Sequence, residues 1–216
     1  DYSRDGTLAS LEESLERLGV DAVDIVYVHD PDEYERDALE GAFPALEDLR
    51  RQGVIRSYGA GMNQSAMLAR FVEHTDLDVV MCAGRFSLLD QSAAHDLLPL
   101  AKARGVSVVA AGVFNSGILA TDSPQATAHY DYAPASSELI DRARAFAGAC
   151  AVMGYSLPQV AAQFPLLHPS VHSVCLGARN ATQAARNADL FESQVPREVY
   201  VHLVDQGLLD PSVLGY

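Results

Sequence analysis

Nowhere in the 216 residues does an apolar run approach the roughly 18–20 that a membrane-spanning helix needs. Positive charge is scarce as well: 15 Lys and Arg stand against 29 Asp and Glu, a formal charge of −14. That balance repels phosphate backbones and anionic lipid, so neither nucleic acid nor a membrane is an expected partner. Cysteine is sparse and odd in number. Cys82, Cys150 and Cys175 are widely spaced and two lie in strand-like runs, so reduced thiols are expected rather than a disulfide framework, and with them a cytoplasmic location. The Cys/His spacing of a structural zinc site is missing, and no metal is expected. Also missing is Gly-x-Gly-x-x-Gly after a strand, the dinucleotide fingerprint of the open doubly wound sheet; GAGMNQ (59–64) does not supply it. What remains is about half apolar and a fifth charged, with enough length to bury one core, so a single domain over residues 1–216 is expected.

The elements alternate. Thr7–Leu18 repeats Leu8, Leu11, Leu15 and Leu18 at helical spacing, with Thr7 as N-cap and Gly19 just past the end. The strand VDIVYV (23–28) comes directly after, and its continuous apolar character suits a strand covered on both faces. Further strands are read at 56–60, 78–82, 106–111 and 171–176. Helices are read at 42–51, 64–74, 93–104, 136–153, 157–167, 181–191 and 196–206, and segment 112–135 is a long functional loop. Five strands alternating with helices predict a parallel α/β architecture. Polar or Gly-rich groups come after strand upon strand (HDPD, GAGMNQ, GRFSLLD, GVFNSG, GARN), which points to a (β/α)8 TIM barrel with its site built from βα loops. Five units are three short of eight.

The stretch SLEESLERLGVDAVDIVYVHDPD resembles the aldo-keto reductase segment in which a helix leads into the fourth barrel strand and the catalytic histidine. IRSYGAGMNQ, AGRFSLLDQS, VVAAGVFNSGIL and VCLGARNATQAARN resemble, in order, that family's strands five to eight with the loops at their ends. GMNQSAMLARF, GVFNSG and DYAPA look most like the aldose dehydrogenase branch, which includes L-fucose (D-threo-aldose) dehydrogenases and pyridoxal 4-dehydrogenase. The resemblance implies an NAD(P)-dependent oxidoreductase acting on an aldose or aldehyde, of which this chain carries the last five βα units. The family's catalytic Asp, Tyr and Lys lie in three earlier units with no counterpart here. The chain alone is therefore expected to be inactive, and its oligomeric state is not indicated.

Hydride transfer loads negative charge on the carbonyl oxygen, which needs a proton donor and a nearby group that orients it. The resemblance gives the orienting role to His29; on pattern alone, a histidine at a strand end satisfied by a backbone carbonyl remains the competing reading. Asp30 and Asp32 read as loop polarity able to touch a polyol. In cofactor binding, the resemblance places Gly61 and Asn63 beside the nicotinamide carboxamide and Phe86 where a stacking ring belongs; Arg85 is left without a role. Gly112, Val113, Phe114, Asn115 and Gly117 form the loop around the pyrophosphate, where small residues let backbone N–H groups approach phosphate oxygens. Gly177, Ala178, Arg179, Gln183 and Asn187 meet the adenosine end. Because Gly177-Ala178 and Gln183 stand where NADP-preferring relatives carry basic or polar groups, NAD is favoured, with NADP possible. Tyr130 and Tyr132 sit in the long loop and either shape a substrate pocket or simply pack. A rival reading from another class is a non-catalytic barrel fragment that binds cofactor or partners; retention of VHDPD and GVFNSG, which folding alone does not require, weighs against it.

Overall fold

The computed structural model describes residues 1–215. Helix α1 (Arg4–Leu18) starts before the expected Thr7. Ser3 is the cap, its hydroxyl accepting from the Gly6 N–H at 3.1 Å, while Thr7 donates its own hydroxyl back to the Ser3 carbonyl at 2.8 Å. Gly19 ends α1 in the left-handed region at φ 67, as the sequence implies.

The strands are β1 (Ile25–His29), β2 (Ser57–Met62), β3 (Val79–Ala83), β4 (Ser107–Ala111), β5 (His129–Tyr130), β6 (Ala133–Pro134) and β7 (Val171–Cys175). The helices after α1 are α2 (Glu35–Asp37), α3 (Phe43–Arg51), α4 (Ser65–His74), α5 (Leu97–Arg104), α6 (Ser137–Val152), α7 (Leu157–Gln163), α8 (Ala181–Asp189) and α9 (Arg197–Asp205). The five long strands make one parallel sheet in the order β1-β2-β3-β4-β7, which is the expected α/β architecture. Other boundaries also differ from the sequence reading. The helix expected from Ala42 begins at Glu35 and passes through a π-helical turn, Ala38–Ala42, before α3. The helix expected from Ala93 begins at Leu97, because the Asp96 carboxylate accepts the Leu97 N–H at 2.6 Å and caps it there.

The chain divides into two compact units, residues 1–82 with 93–109, and residues 83–92 with those from 110 onward. In the first unit, β1 pairs with β2 and β2 with β3, placing Gly59 opposite Val79. A Cβ on Gly59 would lie directly on the Val79 carbonyl oxygen, so this pairing needs glycine. Phe43 of α3 packs on Tyr58 of β2 and edge-on to Phe71 of α4, with centroids at 6.3 and 4.9 Å. Where β2 and β3 begin, Arg50 donates to Asp76 and Asp78 at 2.7 and 2.6 Å and lies 4.9 Å over the Tyr58 ring. Asp78 also accepts the Tyr58 N–H at 3.0 Å, so one carboxylate joins α3, β2 and β3. Strand β1 departs from the expected two-sided burial: Val28 is its one buried residue, and Ile25 is 45% exposed. It stands at the end of the sheet order, and Val26 and Tyr27 are half-buried.

The second unit packs Phe86, Phe164 of the turn after α7, and Tyr200 of α9 in a line, with centroids 5.1 and 6.1 Å apart. The side chain of Gln163 ends α7 by holding the segment before α9: Nε2 donates to the Leu190 and Ser193 carbonyls, and Oε1 accepts the Val195 N–H. Segment 112–135 is more ordered than a loop reading implies. Tyr130 faces Ala133 across β5 and β6, closing a hairpin through Asp131 and Tyr132. Both turn residues have positive φ, 49 and 66, the geometry that hairpins with two-residue turns favour. Tyrosine is costly there, and no Asn-Gly signal announces the turn.

Candidate active site

In the first unit, His29 is the last residue of β1, at the carboxyl end of the strand, the end at which parallel α/β folds place their sites. Its side chain is 82% exposed, and Nδ1 lies 3.3 Å from Oδ2 of Asp30. The imidazole is thus presented outward instead of being buried against a backbone carbonyl. It is the His29 backbone carbonyl that is engaged, accepting the Tyr2 hydroxyl at 2.7 Å. The same hydroxyl lies 3.0 Å from the Asp30 carbonyl. Burial, then the Asp30 and Asp32 carboxylates, pushes the Tyr2 phenol upward, keeping it a donor.

The second strand end lies alongside. Gly61 pairs with His29 in register, and its carbonyl accepts the Asp30 N–H at 3.0 Å. Gln64 donates to Asp32 at 3.2 Å. Asn63 is half-buried between Met62, which closes β2, and Gln64. The structure therefore gathers His29, Asp30, Asp32, Gly61, Asn63 and Gln64 at neighbouring strand ends. Sequence reading missed Tyr2; a lone tyrosine before a helix gives no signal of reaching 27 residues along the chain.

In the second unit, Phe86 does not present a free ring face. It is 3% exposed, packed on Phe164 and edge-on to His168 at 6.1 Å, so it acts as core and the stacking role expected of it is corrected. The aromatic lies at the expected position, but the loop turns it inward. Arg85, left without a role by the sequence, holds the hairpin: it donates to Asp131 at 2.9 and 3.1 Å and to Asp90 at 3.3 Å, while Tyr130 donates to Asp90 at 3.4 Å. Tyr132 is 87% exposed at the tip, its N–H 3.4 Å from the Ser116 hydroxyl.

This clamp carries a pH dependence. Burial pushes the Asp90 carboxyl up, but hydrogen bonds from Ser92 and then Arg85 outweigh it and hold the group below its ordinary 3.8. A depressed carboxylate contributes stability that is present above its unfolded value and lost as pH falls through the folded one. Hairpin anchoring is thus expected to be constant at neutral pH and to weaken below about pH 4. Arg85→Gln should release the hairpin at pH 7, raising amide exchange at 129–135 about five-fold, the equivalent of about 1 kcal/mol for a partly exposed pair. Unchanged exchange there would show that the clamp does not hold the loop.

The GVFNSG loop forms a tight turn. Gly112, Asn115, Ser116 and Gly117 all have positive φ, and Val113 is buried. The turn uses several of its own amides: the N–H of Asn115 goes to Gly112 O, that of Gly117 to Phe114 O, and that of Leu119 also to Phe114 O. Fewer backbone donors are left for phosphate oxygens than the glycine pattern suggests. Asn115 is 6% exposed; Nδ2 donates to the Gly84 carbonyl at 3.2 Å, and Oδ1 has no partner among the described residues. A buried acceptor without a partner matches a site completed by a hydrogen-bond donor such as a hydroxyl or an amide.

After β7, Gly177, Ala178 and Arg179 are exposed on the loop that opens α8. Asn180 caps the helix by accepting the Gln183 N–H at 2.9 Å, and Gln183 reaches back to accept the Arg179 N–H at 2.8 Å. Asn187 donates to the Gly177 carbonyl at 3.1 Å. Gln183 and Asn187 thus order this loop through their own side chains, and the exposed Gly177–Arg179 segment is what remains to meet an anion at the helix start.

Comparison with known proteins identifies the family and the fold. A family model described as the aldo/keto reductase family matches residues 1–205. A D-threo-aldose 1-dehydrogenase of a Pseudomonas species is 40% identical over 210 residues, and a pyridoxal 4-dehydrogenase of Microbacterium luteolum is 40% identical over 220. Each alignment covers 97% of this chain and 64% of the relative, so the chain spans under two thirds of their length. Among solved structures, the holo form of an aldo-keto reductase of Bacillus halodurans superposes with TM-score 0.80 at 24% identity, covering 97% of this chain and 69% of that one. The glycerol dehydrogenase of Gluconobacter oxydans gives 0.75 at 20% identity, covering 98% and 68%. The five-stranded parallel sheet is therefore the sheet of the aldo-keto reductase TIM barrel. With the family model spanning nearly all of its length, the chain belongs to the aldo/keto reductase family.

Proposed function

We propose that the intact protein is a nicotinamide-dependent aldose dehydrogenase that oxidises a sugar at C1 to its lactone. The observation that carries this reading is His29, an exposed imidazole at the end of the first parallel strand, within a chain 40% identical to a D-threo-aldose 1-dehydrogenase. Bound nicotinamide dinucleotide would supply the hydride acceptor. This chain's residues bind and orient, while the proton of the sugar hydroxyl passes to the tyrosine base that the family resemblance places in earlier units. His29 orients the reacting oxygen of the substrate. Asp30 and Asp32, exposed beside it, offer acceptors to the remaining sugar hydroxyls. Asn115 receives a donor of the dinucleotide, and the Gly177–Arg179 loop meets its adenosine end. The absence of a basic residue at positions 177, 178 and 183 favours NAD over NADP, since a 2′-phosphate demands charge-assisted partners. Cytoplasmic location belongs to the same proposal.

The test is a cofactor-linked assay of the intact protein on a panel of aldoses, including L-fucose, with NAD and NADP. Reduced cofactor should accumulate with lactone in equal amount, and faster with NAD. Turnover of pyridoxal alone would redirect the substrate class. Stoichiometric cofactor binding without turnover of any aldehyde or alcohol would favour a non-catalytic module.

A further inference from the structure

Asp30 adopts φ 45 immediately before Pro31. Each half of that statement costs energy. The left-handed region favours glycine, and the proline ring pushes the residue before it toward extended backbone, so a relaxed Asp30 would lie far from φ 45. Strain of this kind persists only where the surroundings hold it. Here two contacts do so. The Asp30 N–H donates to the Gly61 carbonyl at 3.0 Å, one step beyond the β1–β2 pairing. The carbonyls of His29 and Asp30 converge on a single hydroxyl, that of Tyr2, at 2.7 and 3.0 Å. Two consecutive carbonyl oxygens facing the same way repel one another unless a donor lies between them, and the Tyr2 hydroxyl is that donor.

Tyr2 is itself held in place. Its ring lies 5.5 Å from that of Tyr34, at the far end of the same loop. Its backbone passes so close over Gly41 that a Cβ there would sit 2.5 Å from the Tyr2 carbonyl oxygen. The loop fastened in this way carries Asp30 and Asp32, both exposed, and Asp32 accepts from Gln64 at 3.2 Å. We propose that Tyr2 is a positioning residue whose hydroxyl locks the 30–34 loop in its strained conformation, presenting the Asp30 and Asp32 carboxylates to the hydroxyls of a neutral polyol. Carboxylates so placed accept hydrogen bonds from a neutral sugar and repel a uronate or a sugar phosphate. The substrate half of this inference rests on the dehydrogenase reading; the latch does not.

Tyr2→Phe in the intact protein removes the hydroxyl and keeps the ring. Protection of the Asp30 amide against hydrogen exchange, read by NMR, should fall about ten-fold, with the melting temperature nearly unchanged. Adding Asp30→Gly, which accepts φ 45 without strain, should restore protection of the residue-30 amide toward the parent value. With a neutral aldose, Tyr2→Phe should raise KM about ten-fold at nearly constant kcat and cofactor affinity, because the binding-competent loop becomes a minor population. The parent should use the corresponding uronate far less well than the neutral sugar, and Tyr2→Phe should narrow that preference. Unchanged protection of Asp30 in Tyr2→Phe would overturn the latch whatever the protein's activity. A loosened loop with KM unmoved, or a parent that uses uronate as readily as neutral sugar, would overturn its role toward substrate. Absence of any dehydrogenation by the parent would sink the enzyme reading and leave the exchange result equally decisive for the latch.

Discussion

His29→Ala in the intact protein is expected to lower kcat by about 10²- to 10³-fold, the range seen when one preorganised group that meets developing charge is removed. The side chain is exposed at a strand end and makes no buried contact, so its loss should leave the fold and the melting temperature nearly unchanged. The groups assigned to the dinucleotide lie in other βα loops, so affinity for NADH should also stay close to that of the parent. The diagnostic pattern is a collapse of kcat with the cofactor dissociation constant held. Equal turnover in mutant and parent would remove His29 from the mechanism. A parallel fall in cofactor affinity would move it to the binding site instead.

The second large effect is on folding. Gly59→Ala should destabilise the first unit by about 3 kcal/mol, at the upper end of overpacking costs. The added methyl meets the Val79 carbonyl oxygen, a backbone atom within the β2–β3 ladder, and neither can yield without breaking the pairing that runs from Gly59–Val79 to Met62–Cys82. A flexible side chain would move aside; a sheet carbonyl does not. Chemical denaturation should show a lower midpoint with an unchanged slope. Gly61→Ala is the internal control: the nearest atom to its added Cβ is the Met81 Cβ at an ordinary 3.6 Å, so it should cost far less. Equal stability of both variants would mean that the β2–β3 approach is looser than the structure shows.

Much of the fold was readable in advance because its determinants are local. Gly19 gave α1 its end, and β-branched runs marked the parallel strands. Misreadings arose where a polar side chain outcompeted the expected boundary. Ser3 capped α1 in place of Thr7, and Asp96 started α5 later than the apolar pattern did. The sheet-end exposure of β1 departs from its apolar pattern because hydrophobicity reports what a residue prefers to bury, not whether a neighbour is there to bury it.

The candidate site divides in the same way. Motif chemistry located His29 at a strand end, GVFNSG in a turn and GARN ahead of a helix, since glycine, asparagine and histidine declare themselves by what their backbone and side chains can do. Three features came only from tertiary structure. Phe86 turned into the core because Phe164 and His168, far along the chain, provide its surroundings. Arg85 acquired a role only when Asp131, 46 residues later, came within 2.9 Å. Tyr2 joined the site by reaching the His29 carbonyl across 27 residues. Sequence by itself determined which groups are able to bind, donate and accept. Folding decided which of them meet, because a contact between residues far apart in the chain depends on the packing of everything between them.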